Sequence, residues 1–138
     1  HRMFMGEKDF QQLSILRKMA EDLNLRIDII GCPIVREADG LAKSSRNVYL
    51  DPSQRITSLS LSQALQHARQ MVAAGELSAS SIIAKATELI ANSGARVDYV
   101  SIVDARNLQA QESINDHSRM ILAAYVGKTR LIDNMPLF

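Results

Sequence analysis

Asp51-Pro52, with Gln54 three residues after the aspartate, marks a helix start in the middle of this chain, and everything else must be arranged around it. The aspartate offers an acceptor to the free N–H groups of the first turn. Proline is pre-shaped for the first helical position, and a glutamine three residues on reaches back to complete a capping box. Leu61, Leu65, Ala68 and Val72 then recur at helical spacing, and Gly75 stops the run. A second helix is expected over residues 80–93, with Ile82, Ile83, Ala86, Leu89 and Ile90 apolar and Gly94 at its exit. The pattern then changes to β-branched runs: residues 97–104, 119–126 and 129–134 read as strands, the last two joined by the tight Gly127-Lys128 turn. The expected fold is α+β, with two helices packed on a small, mainly antiparallel three-stranded sheet.

The first 33 residues read differently. Gly6-Glu7-Lys8-Asp9 opens a helix over residues 10–23, with Asp9 as N-cap, Gln12 at the third helical position, and Leu13, Leu16, Met19, Ala20 and Leu23 on one face. Residues 27–30 read as a short strand ended by Gly31 and Pro33. Helix followed by strand is one half-turn of a parallel α/β sheet. Such a unit does not close its own sheet, so its neighbours are expected to be missing or supplied by another chain. An unpaired strand of this kind can also join two copies edge to edge. His1-Arg2-Met3 is read as an expression remnant or the scar of a truncation. The boundary between the two pieces falls near Pro33-Ile34, giving segments 1–33 and 34–138, and residues 34–51 are expected to be loop.

Composition narrows the functional classes. The 46% apolar content is enough for a core, and the 22% charged content is that of an ordinary globular protein. Sixteen basic against fifteen acidic residues leave a net charge of +1, which argues against a broad nucleic-acid-binding face. No apolar run reaches membrane-span length and no signal pattern opens the sequence, so a cytoplasmic protein without a membrane partner is expected. The single Cys32 excludes an internal disulfide, and its place after Gly31 at the end of an apolar run predicts a buried, inert thiol. His67 is expected on a solvated helix face and His117 in a polar loop. No histidines, carboxylates or cysteines stand at metal-ligand spacing, so no metal site is expected.

Two segments carry candidate chemistry. Lys43-Ser44-Ser45-Arg46-Asn47 follows Asp39-Gly40-Leu41-Ala42 and sets two cations and two hydroxyls in four consecutive positions after a turn. Hydroxyls, a forked guanidinium and a lysine point charge are the groups that hold phosphate oxygens. The same residues also suit a solvated, mobile turn. Gly6-Glu7-Lys8-Asp9 places a glycine, a cation and a carboxylate at a helix N-terminus, where free N–H groups and the helix dipole favour an anion. On these residues alone a plain capped helix start is the better explanation. Arg36, Glu37 and Asp39 read as a surface charge cluster, and Ser44 and Ser45 have no nearby histidine to activate them as nucleophiles.

Taken together, Gly6-Glu7-Lys8-Asp9-Phe10-Gln11-Gln12-Leu13 and the run from Arg36-Glu37-Ala38-Asp39-Gly40 through Leu41-Ala42-Lys43-Ser44-Ser45-Arg46-Asn47-Val48-Tyr49-Leu50 closely resemble the pantothenate synthetase (pantoate–β-alanine ligase) family. Thr129-Arg130-Leu131-Ile132-Asp133-Asn134 also looks like that family's closing strand. The resemblance implies a Rossmann-type nucleotidyltransferase domain followed by a smaller lid. It implies that segment 1–33 is the end of the nucleotide domain and 34–138 the lid. The reaction implied joins pantoate to β-alanine through an enzyme-bound pantoyl adenylate, with ATP and Mg²⁺ as substrate, no permanently bound cofactor, and a homodimeric parent.

By position, Gly6, Glu7, Lys8 and Asp9 match the family's ATP-contacting turn, Gln12 the glutamine that holds pantoate, and Val35 a residue whose backbone meets adenine. Lys43, Ser44, Ser45 and Arg46 match the phosphate-binding loop equivalent to the K-M-S-K-S loop of related synthetases. Lys8, Ser44, Ser45 and Arg46 are thereby the expected catalytic set. Position 43 is commonly uncharged in the family, which argues against a side-chain role for Lys43. The family's H-x-G-H motif has no match here, so the chain is expected to be inactive alone. The competing readings are a non-catalytic nucleotide-binding or assembly module, and an adenylating enzyme for a different acid.

Overall fold

A computed structural model describes all 138 residues. In chain order the elements are β1 (Arg2–Gly6), a 3-10 turn (Glu7–Asp9), α1 (Phe10–Asp22), β2 (Asp28–Cys32), a 3-10 helix (Ser45–Tyr49), α2 (Pro52–Ala73), α3 (Ala79–Asn92), β3 (Arg96–Asp104), β4 (Ser118–Val126) and β5 (Thr129–Pro136). β3, β4 and β5 form an antiparallel sheet in that order, with β5 at an edge. β1 and β2 form a separate parallel pair, with Met3 opposite Ile29.

The long helix begins as its sequence dictates. The Asp51 carboxylate accepts from the Gln54 amide at 2.8 Å, and the Gln54 side chain accepts from the Asp51 amide at 3.2 Å. Leu61, Leu65, Ala68 and Val72 are all buried, as are Ile82, Ala86 and Ile90 of α3. They meet Ile102, Met120, Leu122, Ala124 and Leu131 on one face of the sheet, forming the main core. A Leu65→Ala truncation there removes fully buried methyl groups and costs about 2–5 kcal/mol.

Alternate residues point to opposite faces of a strand. The other face of the sheet presents Val103 and Ile121, which pack on Phe10 and Leu13 of α1 in a second, smaller core. The sheet is therefore covered on both sides, by α2 and α3 on one and by α1 on the other. Gly31 of β2 permits this packing. A Cβ there would sit 3.0 Å from both the Leu13 Cδ2 and a Glu7 carboxylate oxygen, so α1 and its leading turn lie close against the β2 backbone.

Several expectations from sequence are corrected. The opening residues, read as a remnant, form β1, which supplies β2 with a neighbour from within the chain. Asp9 makes no side-chain cap: its backbone (φ −89°, ψ 60°) continues from the preceding 3-10 turn, and Gln12 stays exposed. Met19 and Leu23, expected on the apolar face of α1, are exposed. Cys32 is half-buried, not buried, because β2 has a neighbour on one edge only. His67 is half-buried between the faces of α2. Within residues 34–51, Ser45–Tyr49 winds into a 3-10 helix, and Arg36 and Ala42 pair across an antiparallel bridge.

Candidate functional site

The site is built around the edge strand β5. The turn Glu7–Asp9 reaches it from the α1 side of the sheet, and the loop 36–47 from the α2 side. Asn134 donates through its Nδ2 to the carbonyls of Glu7 and Lys8, at 2.9 and 3.0 Å. Arg119 of β4, buried over the Phe10 ring at 4.1 Å, donates to the Asn134 amide oxygen and to the Glu7 carboxylate at 3.3 Å.

On the opposite face Asp133, 3% exposed, receives both prongs of the Arg36 guanidinium at 2.7 and 2.9 Å. Arg36 also donates to the Gly40 carbonyl at 3.0 Å. Gly40 holds φ +95°, a conformation glycine adopts without the strain of a Cβ, and the chain turns there so that Leu41 and Ala42 are buried. The first half of the loop is thereby tied to β5, while Lys43, Ser45 and Arg46 stay exposed. Arg36 and Asp39 are not one surface cluster. Arg36 is committed to Asp133, while Asp39 receives a two-pronged bond from Arg55 at 2.8 and 2.9 Å.

Turn and loop meet where the Lys8 ammonium donates to the Lys43 carbonyl at 3.0 Å. Lys8, Ser44, Ser45, Arg46 and Arg130 line one cleft of about 310 Å³. A second cleft of about 200 Å³ shares Lys8, Asp9 and Arg130 and extends to Gln12, Tyr99 and Asn134. Burial lowers the Lys8 ammonium below its ordinary value, Asp133 and Asp9 oppose that effect, and Arg46 and Arg36 reinforce it. A half-desolvated cation held close to other cations is primed for an anion.

Arg46 is the unpaired fork of the site. Arg36, Arg55, Arg106, Arg119 and Arg130 each lie within 4.0 Å of a carboxylate, at 2.7, 2.8, 2.6, 3.3 and 2.8 Å. Arg46 makes only a 3.4 Å bond to the Arg130 carbonyl. Ser44 caps the 3-10 helix, its hydroxyl oxygen accepting from the Arg46 amide at 3.2 Å, which leaves the hydroxyl proton free to be donated. Ser45 is exposed at the first position of the same short helix.

Not every sequence candidate reaches the clefts. Lys8, Asp9, Lys43, Ser44, Ser45 and Arg46 do, and Gln12 lines the adjoining one. Gly6 lies behind the turn in β1, Glu7 turns its carboxylate back to Arg119, and Val35 is exposed away from both, its carbonyl taken by the Lys43 amide at 2.9 Å. Arg130, Arg119, Asp133 and Asn134 were not among the candidates. Asp133 and Arg36 stand 97 positions apart, so no local pattern joins them. The one signal for Arg130, Asp133 and Asn134 was the likeness of Thr129–Asn134 to the family's closing strand, which carried no residue roles. No group of three or more His, Cys, Asp or Glu side chains converges anywhere in the chain.

The geometry can be set against known proteins. The sequence model of the family described as pantoate-beta-alanine ligase matches residues 1–136. A pantothenate synthetase from Heliobacterium modesticaldum is 50% identical over 133 residues, 96% of this chain and 47% of the relative. The crystal structure of pantothenate synthetase from Thermus thermophilus superposes with a TM-score of 0.93 at 37% identity, over 99% of this chain and 50% of that one. The pantoate-beta-alanine ligase from Francisella tularensis, described as complexed with β-γ ATP and β-alanine, superposes with a TM-score of 0.69 at 29% identity, over 99% of this chain and 43% of that one. The chain thus spans about half the length of the relatives it matches. Over that span both sequence and structure agree, and the chain belongs to the pantoate–β-alanine ligase family.

Proposed function

We propose that these 138 residues supply the lid and the end of the nucleotide domain to the ATP site in a ligase that joins pantoate to β-alanine. The carrying observation is that Lys8 and the loop Ser44–Arg46, from distant parts of the chain, line one cleft, with Arg46 free of any carboxylate. In the first step a pantoate carboxylate oxygen attacks the α-phosphorus of ATP. The Pα–O bond to the β-phosphate breaks, releasing pyrophosphate and leaving pantoyl adenylate. In the second step the β-alanine amine attacks the acyl carbon, loses a proton, and AMP departs.

Negative charge shifts onto the β- and γ-phosphate oxygens during the first step. Lys8, the two serine hydroxyls and the Arg46 fork are donors placed to receive it without covalent participation. Gln12, in the adjoining cleft that shares Lys8, is placed to hold pantoate beside the α-phosphate. Mg²⁺ enters as the MgATP substrate, held by phosphate oxygens and water.

The proposal extends to a division of the chain near Pro33-Ile34, cytoplasmic residence and a homodimeric parent. The relatives are about twice as long, which supports the view that the chain alone forms no pantothenate. No helix is long and apolar enough to cross a membrane.

The test is exchange of labelled pyrophosphate into ATP by the protein encoded by the complete reading frame that contains these residues. Exchange that requires pantoate is expected. Exchange with a different acid in its place contradicts the substrate, and ATP binding without exchange under any acid favours a non-catalytic nucleotide-binding module.

A further inference from the structure

Asn134 is 2% exposed, yet it makes no contact that the clamp chemistry above requires. Both hydrogens of its side-chain amide are spent on the carbonyls of consecutive residues, Glu7 and Lys8. Its amide oxygen is held by Arg119, whose second nitrogen holds the Glu7 side chain and whose plane lies on Phe10, the first residue of α1. A buried primary amide can satisfy all its polar atoms only if its surroundings are fixed, and here each partner belongs to the Glu7–Phe10 segment or to β4. The neighbouring Asp133 points to the other face of β5 and holds the phosphate loop through Arg36 and Gly40. Two adjacent strand residues thus reach the two halves of the clamp from opposite sides.

We infer that Asn134, oriented by Arg119, is a positioning residue that sets the Lys8 ammonium against the Ser44–Arg46 loop for adenylation. The inference rests on the ligase reading above. Lys8 is carried on the backbone whose carbonyls Asn134 grips, so releasing that grip lets the ammonium drift while leaving the loop in place. A displacement of about 1 Å at a reacting group can cost on the order of 100-fold in rate. Asn134 also lines the cleft that contains Gln12, so the inference is read from the adenylation and adenylate-consuming steps and not from pantoate binding.

The experiment compares wild type, Asn134→Leu, Lys8→Ala and the double variant in the full-length protein. Two quantities are read: pantoate-dependent pyrophosphate exchange, and conversion of supplied pantoyl adenylate with β-alanine. Asn134→Leu is expected to lower the exchange kcat by about 10- to 100-fold, with the adenylate-consuming step changed less than about threefold. In the Lys8→Ala background the same substitution is expected to cost less than about threefold more, because residues acting through one group are not additive.

Multiplicative losses in the double variant, or equal losses in both half-reactions, overturn the inference while leaving the ligase reading intact. Absence of pantoate-dependent exchange in wild type overturns the reading itself. If Asn134→Leu fails to fold, Asn134→Asp keeps the shape and the Arg119 contact but turns an acceptor towards the two carbonyls. The same pattern of losses is then required.

Discussion

The Lys8 ammonium donates to the main-chain carbonyl of Lys43 across 3.0 Å, closing the turn before α1 against the loop before the 3-10 helix. Lys43 therefore contributes its backbone to the site, while its own side chain is exposed. A contact of this kind does not depend on the side chain at position 43, since any residue presents the same carbonyl. The closed gap also explains how short side chains such as Ser44 and Ser45 come to share a cleft with a cation 35 and more positions away.

Lys8 is half-desolvated, and this gives its substitution a split outcome. A lysine whose folded value lies below its ordinary 10.5 is destabilising while protonated, and that cost is relieved as pH rises through the folded value towards 10.5. Lys8→Met is therefore expected to leave Tm at pH 7 unchanged or raised while slowing adenylation by at least about tenfold. Calorimetry and pyrophosphate exchange on the same preparation check both halves.

Asp133 is nearly inaccessible and forms its ion pair with Arg36. Removing the carboxylate alone strands a guanidinium in a partly buried site. Asp133→Ala is expected to lower unfolding free energy in urea by about 3 kcal/mol. Arg36→Met combined with it should cost clearly less than the sum of the single changes, since the two side chains form one unit.

At the far end of β3, Arg106 donates to Asp104 at 2.6 and 2.9 Å and holds the carboxyl at about 2, below its ordinary 3.8. A depressed carboxyl stabilises the fold above its unfolded value, and that contribution is lost as pH falls from about 3.8 through about 2. Tm measured across that window should therefore decline less steeply in Asp104→Asn than in wild type.

What the sequence made legible follows from the range of the interactions. The capping box at Asp51, the stripes of α2 and α3 and the Gly127-Lys128 hairpin are each specified within a few residues, and each stands where expected. β1 was missed because Arg2–Gly6 has no alternation to read: all but Met5 are exposed on a two-stranded edge. The chemistry of Lys43–Arg46 left both phosphate loop and solvated turn open, with the turn favoured on residue type alone. Register with Gly6–Asp9 in a known family, not residue type, joined the two segments. Arg119 and Asn134 were hidden inside strand runs, where a polar residue looks like one more outward-facing position.

Gln12 lines the cleft next to Lys8 and caps nothing, since no side-chain bond closes the start of α1. Gln12→Ala should raise the pantoate KM by about three- to tenfold, the loss of one hydrogen bond, with helix stability unchanged. Steady-state kinetics against pantoate at saturating ATP give the number, and an unchanged KM removes Gln12 from the substrate site.

In the proposed mechanism the turn at Lys8 and the loop at Arg46 form a clamp that acts on the phosphates as adenylation proceeds. Arg46→Ala tests it most directly, because Arg46 is the one fork in the site without a carboxylate. Single-turnover adenylation and pantoate affinity should be measured side by side in the full-length enzyme. A rate loss of about 100-fold or more is expected, with pantoate affinity changed by less than about threefold. Equal losses in the rate and in pantoate affinity would contradict it.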